Sequence, residues 1–372
     1  MRKARTLGVL GGGQLGRMFV QAAQRMGYFT AVLDPDPASP AGLVSHHHIQ
    51  TDYQDQQGLA QLMQRCAAIT TEFENVPAPA LRDLGAHRPV APGADAVAIA
   101  QNRVQEKMHF DRCGVACAPY AVIETPEQLA AVADDLLPGI LKTARMGYDG
   151  KGQVTVHSQI ELQAAWDGLS RVVCVLEKRL PLAAECSVLL ARDEGGDIIH
   201  WPLQRNVHVD GILSTTEVTY DDELQATLVL ASKKIITELD YVGVLCIEFF
   251  ILADGSWVVN EMAPRPHNSG HVTMNASSLS QFEAQARVAA GLPLVQPRQH
   301  SAVVMLNLLG QHCQRAEWAR VLALGNEHVG VHLHLYGKGE ARTGRKMGHI
   351  NITAQHLEQA WQTAKLIQPL LH

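Results

Sequence analysis

Two carboxylates, Glu248 and Glu261, stand in stretches that otherwise look like buried strands. Residues 243–251 run Gly-Val-Leu-Cys-Ile-Glu-Phe-Phe-Ile, and residues 257–261 run Trp-Val-Val-Asn-Glu. A lone charge among apolar strand residues is costly unless it is paired or holds a metal ion. Asp254-Gly255 between the runs predicts a tight antiparallel hairpin, which would set Glu248 beside Glu261. Two carboxylates with the amide oxygen of Asn260 suit Mg²⁺, a hard cation commonly completed by substrate phosphates. The plainer alternative is one hydrogen-bonded buried glutamate and one surface glutamate. Strand periodicity breaks at Asn260-Glu261, and Pro264 and Pro266 force the chain out of the sheet. Asn260, Glu261, Arg265, His267 and Asn268 are therefore expected together on one loop.

A second cluster carries cations. Lys142 sits in the apolar run Ile140-Leu141-Lys142-Thr143, where a purely structural lysine is rare. Gly147-Tyr148-Asp149-Gly150-Lys151-Gly152-Gln153 follows, three glycines in six residues with a lysine between two of them. Such a stretch makes a mobile lid whose amides cradle phosphates. It lacks the Gly-Lys-Ser/Thr of a Walker loop, and a plain hairpin turn would not need Lys142, Tyr148 and Lys151. Downstream, a buried strand ends at Glu177-Lys178-Arg179-Leu180-Pro181, Glu185 opens an alternating strand, and residues 206–211 read as a polar loop holding His208.

The N-terminus offers a third site. A short strand over Thr6–Leu10 leads into Gly11-Gly12-Gly13-Gln14-Leu15-Gly16, then a helix over 18–26 and a strand over 31–33 ending at Asp34. Gly11, Gly13 and Gly16 with an acidic residue about 20 positions on form the dinucleotide fingerprint. Glycines and a helix N-terminus suit any phosphorylated ligand, so a phosphate site is expected and NAD is one option among several. An NAD-dependent oxidoreductase stands as the rival from another class, but it leaves Glu248, Glu261 and residues 147–153 unexplained. Glu72 and Glu74 leave the carboxyl end of the next strand, the edge where α/β sheets hold ligands. Near the C-terminus, residues 331–336 alternate as an edge strand, and Lys338, Arg342, Arg345 and Lys346 crowd a glycine-rich stretch into an anion site.

The elements that position these groups span 372 residues, more than one core holds. Residues 1–95 form a Rossmann-like parallel-sheet domain and residues 96–112 a linking helix. The central domain covers 96–295, with a lid over about 118–180, and a small β-rich domain covers 296–372. The class is α/β with α+β. At 47% hydrophobic and 18% charged residues the chain is globular, and a net charge of −6 argues against nucleic-acid binding. No signal peptide or membrane span is expected, and seven cysteines without a clear pairing pattern suggest free thiols in a reducing cytoplasm. His46-His47-His48 reads as a solvated loop.

Lys142, residues 147–153, Glu177, Glu185, Glu248 and Asn260-Glu261 resemble the nucleotide site of ATP-grasp enzymes. The whole length resembles the N5-carboxyaminoimidazole ribonucleotide synthetase family, through residues 12–18, 263–271, the Tyr148-Asp149 lid and Gly344-Arg345-Lys346-Met347-Gly348-His349. Met146 departs from it, standing where the family usually carries glycine. The resemblance implies an ATP-grasp fold and ATP- and bicarbonate-dependent carboxylation of 5-aminoimidazole ribonucleotide in purine biosynthesis. ATP would be held by Arg103, Lys142, residues 147–153 (Gly147, Tyr148, Asp149, Gly150, Lys151, Gly152 and Gln153), Glu177, Lys178, Arg179, Leu180, Glu185, His208, Asn260 and Glu261, and Mg²⁺ by Glu248 and Glu261. Gly12, Gly13, Gln14, Leu15, Glu72, Lys338, Arg345 and Lys346 would take the ribonucleotide. Tyr148, Asp149, Arg265, His267 and Asn268 would line the reacting end. A homodimer is implied as well. The nearest rival within the class is another ATP-grasp carboxylate-amine ligase; a nucleotide-binding protein without catalysis is a third reading.

Overall fold

A computed structural model describes residues 5–147, 152–314 and 316–371, so Tyr148, Asp149, Gly150 and Lys151 lie outside the described residues. The N-terminal sheet joins β1 (Thr6–Leu10), β2 (Phe29–Leu33), β3 (His47–Ile49) and β4 (Ala68–Thr71) in the order β3-β2-β1-β4, all parallel. Near-continuous apolar strands are what a parallel sheet covered on both faces requires. Helix Gln14–Arg25 supplies one cover with Leu15, Met18, Phe19, Val20 and Ala23 buried. Helix Gln281–Ala290 packs beside it, and its Gln285 donates to Thr70 Oγ1 (3.0 Å) and the Thr71 carbonyl (3.1 Å).

A four-stranded antiparallel sheet follows, β5 (Tyr120–Ile123), β6 (Gly139–Thr143), β7 (Gln153–Val156) and β8 (Cys174–Lys178), ordered β5-β8-β6-β7. The remaining strands make one antiparallel sheet: β9 (Leu182–Arg192), β10 (Ile198–His200), β11 (Gln204–Val209), β12 (Ile212–Val218), β13 (Gly243–Leu252), β14 (Trp257–Ala263), β15 (Ala302–Leu309), β16 (Val329–Leu335) and β17 (Lys346–Ala354). Its order is β14-β13-β9-β11-β12-β15-β17-β16, with β10 on β9. The pairing of β12 with β15 (Thr215 opposite Leu306) carries the sheet into the C-terminal region, which keeps its own core around Ile350, Ile352 and Val304. As expected, β16 is the edge strand.

Four local expectations are corrected. Asn260 and Glu261 belong to β14, because β13 keeps pairing up to Cys246 opposite Ala263 and only Pro264 ends the ladder. Residues 204–209 are strand β11, with the turn confined to Asp210-Gly211, both at positive φ, so His208 is held by a sheet. The single linking helix is two, Ala94–Ala100 and Arg103–Arg112, because the Asn102 side chain accepts from the Val104 amide (3.0 Å) and caps a new start. Residues His47–Ile49 are strand β3, and His46 Nδ1 accepts from the Thr30 amide (3.2 Å). No helix of the described residues is long and apolar enough to cross a membrane.

Candidate active site

The hairpin turn at residues 253–256 joins β13 to β14 and places Glu248 directly opposite Glu261, with a bulge just after Glu248. Burial first, and then Glu261, push the Glu248 carboxyl above its ordinary range. For Glu261 burial acts the same way, but Arg103 and Lys142 outweigh it and hold the group down. Arg103 Nη1 reaches Glu261 Oε2 at 3.3 Å. Beside the pair, Asn260 Oδ1 is buried without a hydrogen-bond partner among the described residues. Two repelling carboxylates and an orphaned amide oxygen are a donor set that a divalent cation would complete, so the residues fit Mg²⁺.

Facing them across a cavity of about 880 Å³ are the cations of β6 and its neighbours. Lys142 Nζ donates to Glu177 Oε2 (2.8 Å), and Lys107 Nζ lies 3.2 Å from Glu177 Oε1. Burial would raise the Glu177 carboxyl, yet Lys142, Lys107 and Arg103 together hold it at about 2. The cavity wall includes Arg103, Lys142, Gly147, Gly152, Gln153 and residues 177–180, together with Glu185, His208, Glu248, Asn260, Glu261, Arg265, His267, Asn268 and Lys346. His208 Nδ1 pairs with the Glu185 carboxylate, which lifts the imidazole against the effect of burial. Met146, where glycine was expected, has φ of 62°, the left-handed region that glycine adopts freely.

At the far end, the Arg265 guanidinium grips Glu74 Oε2 through Nε (2.8 Å) and Nη2, tying the cavity to the first domain. His267 Nε2 lies 3.3 Å from Glu248 Oε1, and its Nδ1 lies 3.0 Å from Ser269 Oγ. Burial, and then Arg265 and Lys346, hold this imidazole neutral by lowering its affinity for a proton. Asn268 turns a buried Nδ2 without a partner among the described residues.

The first-domain loop behaves differently from a simple phosphate cradle. Gly12 N donates to Asp34 Oδ2 (2.6 Å), while Gly13 N and Gly16 N donate to Glu72 Oε1 (2.9 Å) and Oε2 (3.2 Å). Tyr53 also donates to Asp34 Oδ2 (2.6 Å), so the acid of the fingerprint is turned inward rather than left for a ribose. Gly12, Gly13, Gln14, Leu15, Glu72, Lys338 and Arg345 do not line the cavity. Lys338 Nζ donates to the Lys346 carbonyl (2.8 Å) and Arg345 Nη1 to the Glu340 carbonyl (3.0 Å). A Cβ at Gly13 would stand 2.6 Å from Glu72 Oε1. Gly13→Ala is therefore expected to cost about 1–3 kcal/mol by overpacking, read as a lower urea midpoint. An unchanged midpoint would refute the tight loop–carboxylate fit.

Glu106 and Lys107 join the site only in the structure. Arg103, Glu106 and Lys107 share one helical face at i, i+3 and i+4. Arg103 reaches Glu261, Glu106 Oε1 accepts from the Met262 amide (2.7 Å), and Lys107 reaches Glu177. Three charges on one face of a helix lacking an apolar stripe was the available signal.

Comparison with known proteins places this geometry. A ribonucleotide synthetase preATP-grasp domain matches residues 4–101, an ATP-grasp domain residues 108–282, and a phosphoribosylaminoimidazole carboxylase C-terminal domain residues 303–363. The N5-carboxyaminoimidazole ribonucleotide synthase of Brucella melitensis biotype 1 is 43% identical over 355 residues, covering 94% of this chain and 96% of that protein. The N5-carboxyaminoimidazole synthetase structure from Staphylococcus aureus complexed with ADP has a TM-score of 0.92 at 35% identity, covering 98% and 97% of the two chains. The Aspergillus clavatus enzyme in complex with ADP and 5-aminoimidazole ribonucleotide has a TM-score of 0.91 at 30% identity, covering 100% of this chain and 99% of that one. With β13 and β14 presenting paired carboxylates to a lysine-bearing second sheet, and relatives matched along nearly the full length, the chain belongs to the N5-carboxyaminoimidazole ribonucleotide synthase family of ATP-grasp ligases.

Proposed function

We propose that the chain carboxylates 5-aminoimidazole ribonucleotide at its exocyclic amine, consuming ATP and bicarbonate and yielding N5-carboxyaminoimidazole ribonucleotide, ADP and phosphate in purine biosynthesis. The observation that carries this reading is the Glu248–Glu261 pair facing Lys142 and Glu177 across one cavity. Residues 177–180 and Glu185 would hold the adenine and ribose, while Lys142 and Arg103 meet the phosphates. Bound Mg²⁺, held by Glu248 and Glu261 with Asn260 beside them, would neutralise charge on the transferring phosphoryl group. Bicarbonate oxygen attacks the γ-phosphate, ADP leaves, and the resulting carboxyphosphate transfers its carboxyl to the amine with loss of phosphate. Arg265, His267 and Asn268 would orient the bicarbonate and the aminoimidazole. Tyr148, Asp149, Gly150 and Lys151 would close over the site and keep water from carboxyphosphate.

Asp34 and Glu72 already hold the amides of Gly12, Gly13 and Gly16. The ribonucleotide phosphate is therefore assigned to the next two amides, Gln14 and Leu15, in the first helical turn, where backbone donors lack intrahelical partners. Lys338, Arg345 and Lys346 would approach it from the C-terminal region. On the family resemblance we also place the protein in the cytoplasm as a homodimer, which sedimentation would test.

ADP release with MgATP, bicarbonate and aminoimidazole ribonucleotide tests the reading when each component is omitted in turn. Turnover is expected to require all of them and to give an acid-labile product that reverts to the ribonucleotide. ADP release that ignores the ribonucleotide but answers to another amine would point to a different ATP-grasp ligase. Binding without turnover under any condition would favour a nucleotide-binding protein.

A further inference from the structure

Glu177 is paired with more cations than a structural carboxylate needs. Its side chain is 4% exposed, and each of its oxygens faces a different lysine. The two lysines are not equivalent. Lys142 opens onto the cavity, whereas the Lys107 side chain is 0% exposed and forms no part of the cavity wall. On its other side, the Lys107 ammonium stands 5.4 Å from the centre of the Tyr120 ring, and the Tyr120 hydroxyl is anchored on Asp111 Oδ2 (2.9 Å). Lys107 is thus enclosed between a ring and a carboxylate, in ion-pair contact with Glu177 although neither its Nζ nor Glu177 Oε1 makes a hydrogen bond among the described residues, while Lys142 has the cavity beside it.

From this arrangement we infer that Lys107 is a positioning residue: it is the permanent counter-ion of Glu177 that leaves Lys142 free to move onto a bound polyphosphate. The inference rests on the nucleotide reading of the cavity. If Lys142 alone neutralised Glu177, its departure to a phosphate would strand a buried carboxylate, among the costliest states in a protein interior. With Lys107 fixed on the other oxygen, Glu177 stays ionised and in place whichever way Lys142 turns. The same helix face sets Arg103 on Glu261 and Glu106 on the Met262 amide, so one rigid element keeps the counter-ion in register with both walls of the cavity.

The test is the ratio of affinities for ATP and adenosine, because only ATP offers Lys142 a phosphate. In Lys107→Met, a near-isosteric uncharged variant, the affinity for MgATP is expected to fall about tenfold while adenosine binding stays within about twofold, the scale of one charge-assisted contact. In turnover the KM for ATP should rise by a similar factor and the KM for aminoimidazole ribonucleotide should not. A merely structural lysine would weaken ATP and adenosine together, and that result overturns the inference. Should Lys107→Met fail to fold, Glu177→Gln is compared with Glu177→Gln/Lys107→Met, since a neutral side chain needs no counter-ion. The second substitution should then leave the ATP-to-adenosine ratio unchanged; a further tenfold loss refutes the role. Wild-type protein that binds no MgATP would instead refute the nucleotide reading itself.

Discussion

Glu261→Gln is expected to lower turnover by about 10²–10³-fold or more, the scale of losing one element of transition-state charge stabilisation. Glu261 and Glu248 are cross-strand neighbours, and both line the cavity, as does Asn260. An amide in place of either carboxylate removes a formal charge from the cation site without changing its shape. Glu248→Gln should lose activity on the same scale. The stability readout runs the other way for Glu248. In the metal-free protein its carboxyl is destabilised by burial and by Glu261, so Glu248→Gln should hold or raise the thermal midpoint measured with a chelator. Steady-state ADP release and a thermal melt separate the two effects. Retention of more than about a tenth of wild-type activity in either variant would sink the metal-carboxylate assignment.

The second large effect is on stability. Glu177→Ala should destabilise the protein by about 3–5 kcal/mol, because it leaves Lys107 buried beside a vanished partner. The carboxyl sits at about 2 against an ordinary value near 4.5, which by linkage corresponds to about 3 kcal/mol, the low end of the same range. The sign follows from the depressed value. The contribution is fully present above the ordinary carboxylate range and is lost as pH falls from about 4.5 through about 2. Urea denaturation at neutral pH should show the loss in Glu177→Ala, and the gap to wild type should shrink as the pH is lowered through that window. Adding Lys107→Met should restore part of it, since the two groups are in contact and not additive. A gap independent of pH would mean that the ion pairs contribute no net stability.

Much of the site was legible from local pattern. Glu248 and Glu261 stand out because charges are expensive in apolar strands, and the Asp254-Gly255 turn alone brings them side by side. Lys142 was legible on the same ground, and its partner Glu177 was named, but the link between them was not. The errors share one cause. Around Asn260, Glu261 and His208, polar residues and nearby prolines or glycines outweigh the strand pattern locally and read as loop, whereas all three lie in strands. Their neighbours across the sheet, Leu213 opposite His208 and Glu248 opposite Glu261, keep them extended, and the ladder that decides this is formed with another strand and not within the segment itself.

The sequence by itself determined the antiparallel carboxylate hairpin, the glycine loop after β1 and the family resemblance, because propensity, turn chemistry and charge cost act over a few residues. Only the tertiary structure decided which long-range partners those groups take. Asp34 and Glu72 fold inward onto the glycine amides, Glu74 reaches Arg265, and Lys107 meets Glu177 beneath the cavity floor. Those pairings satisfy charges and donors that burial would otherwise leave bare, a requirement set by the assembled interior and not by any single segment.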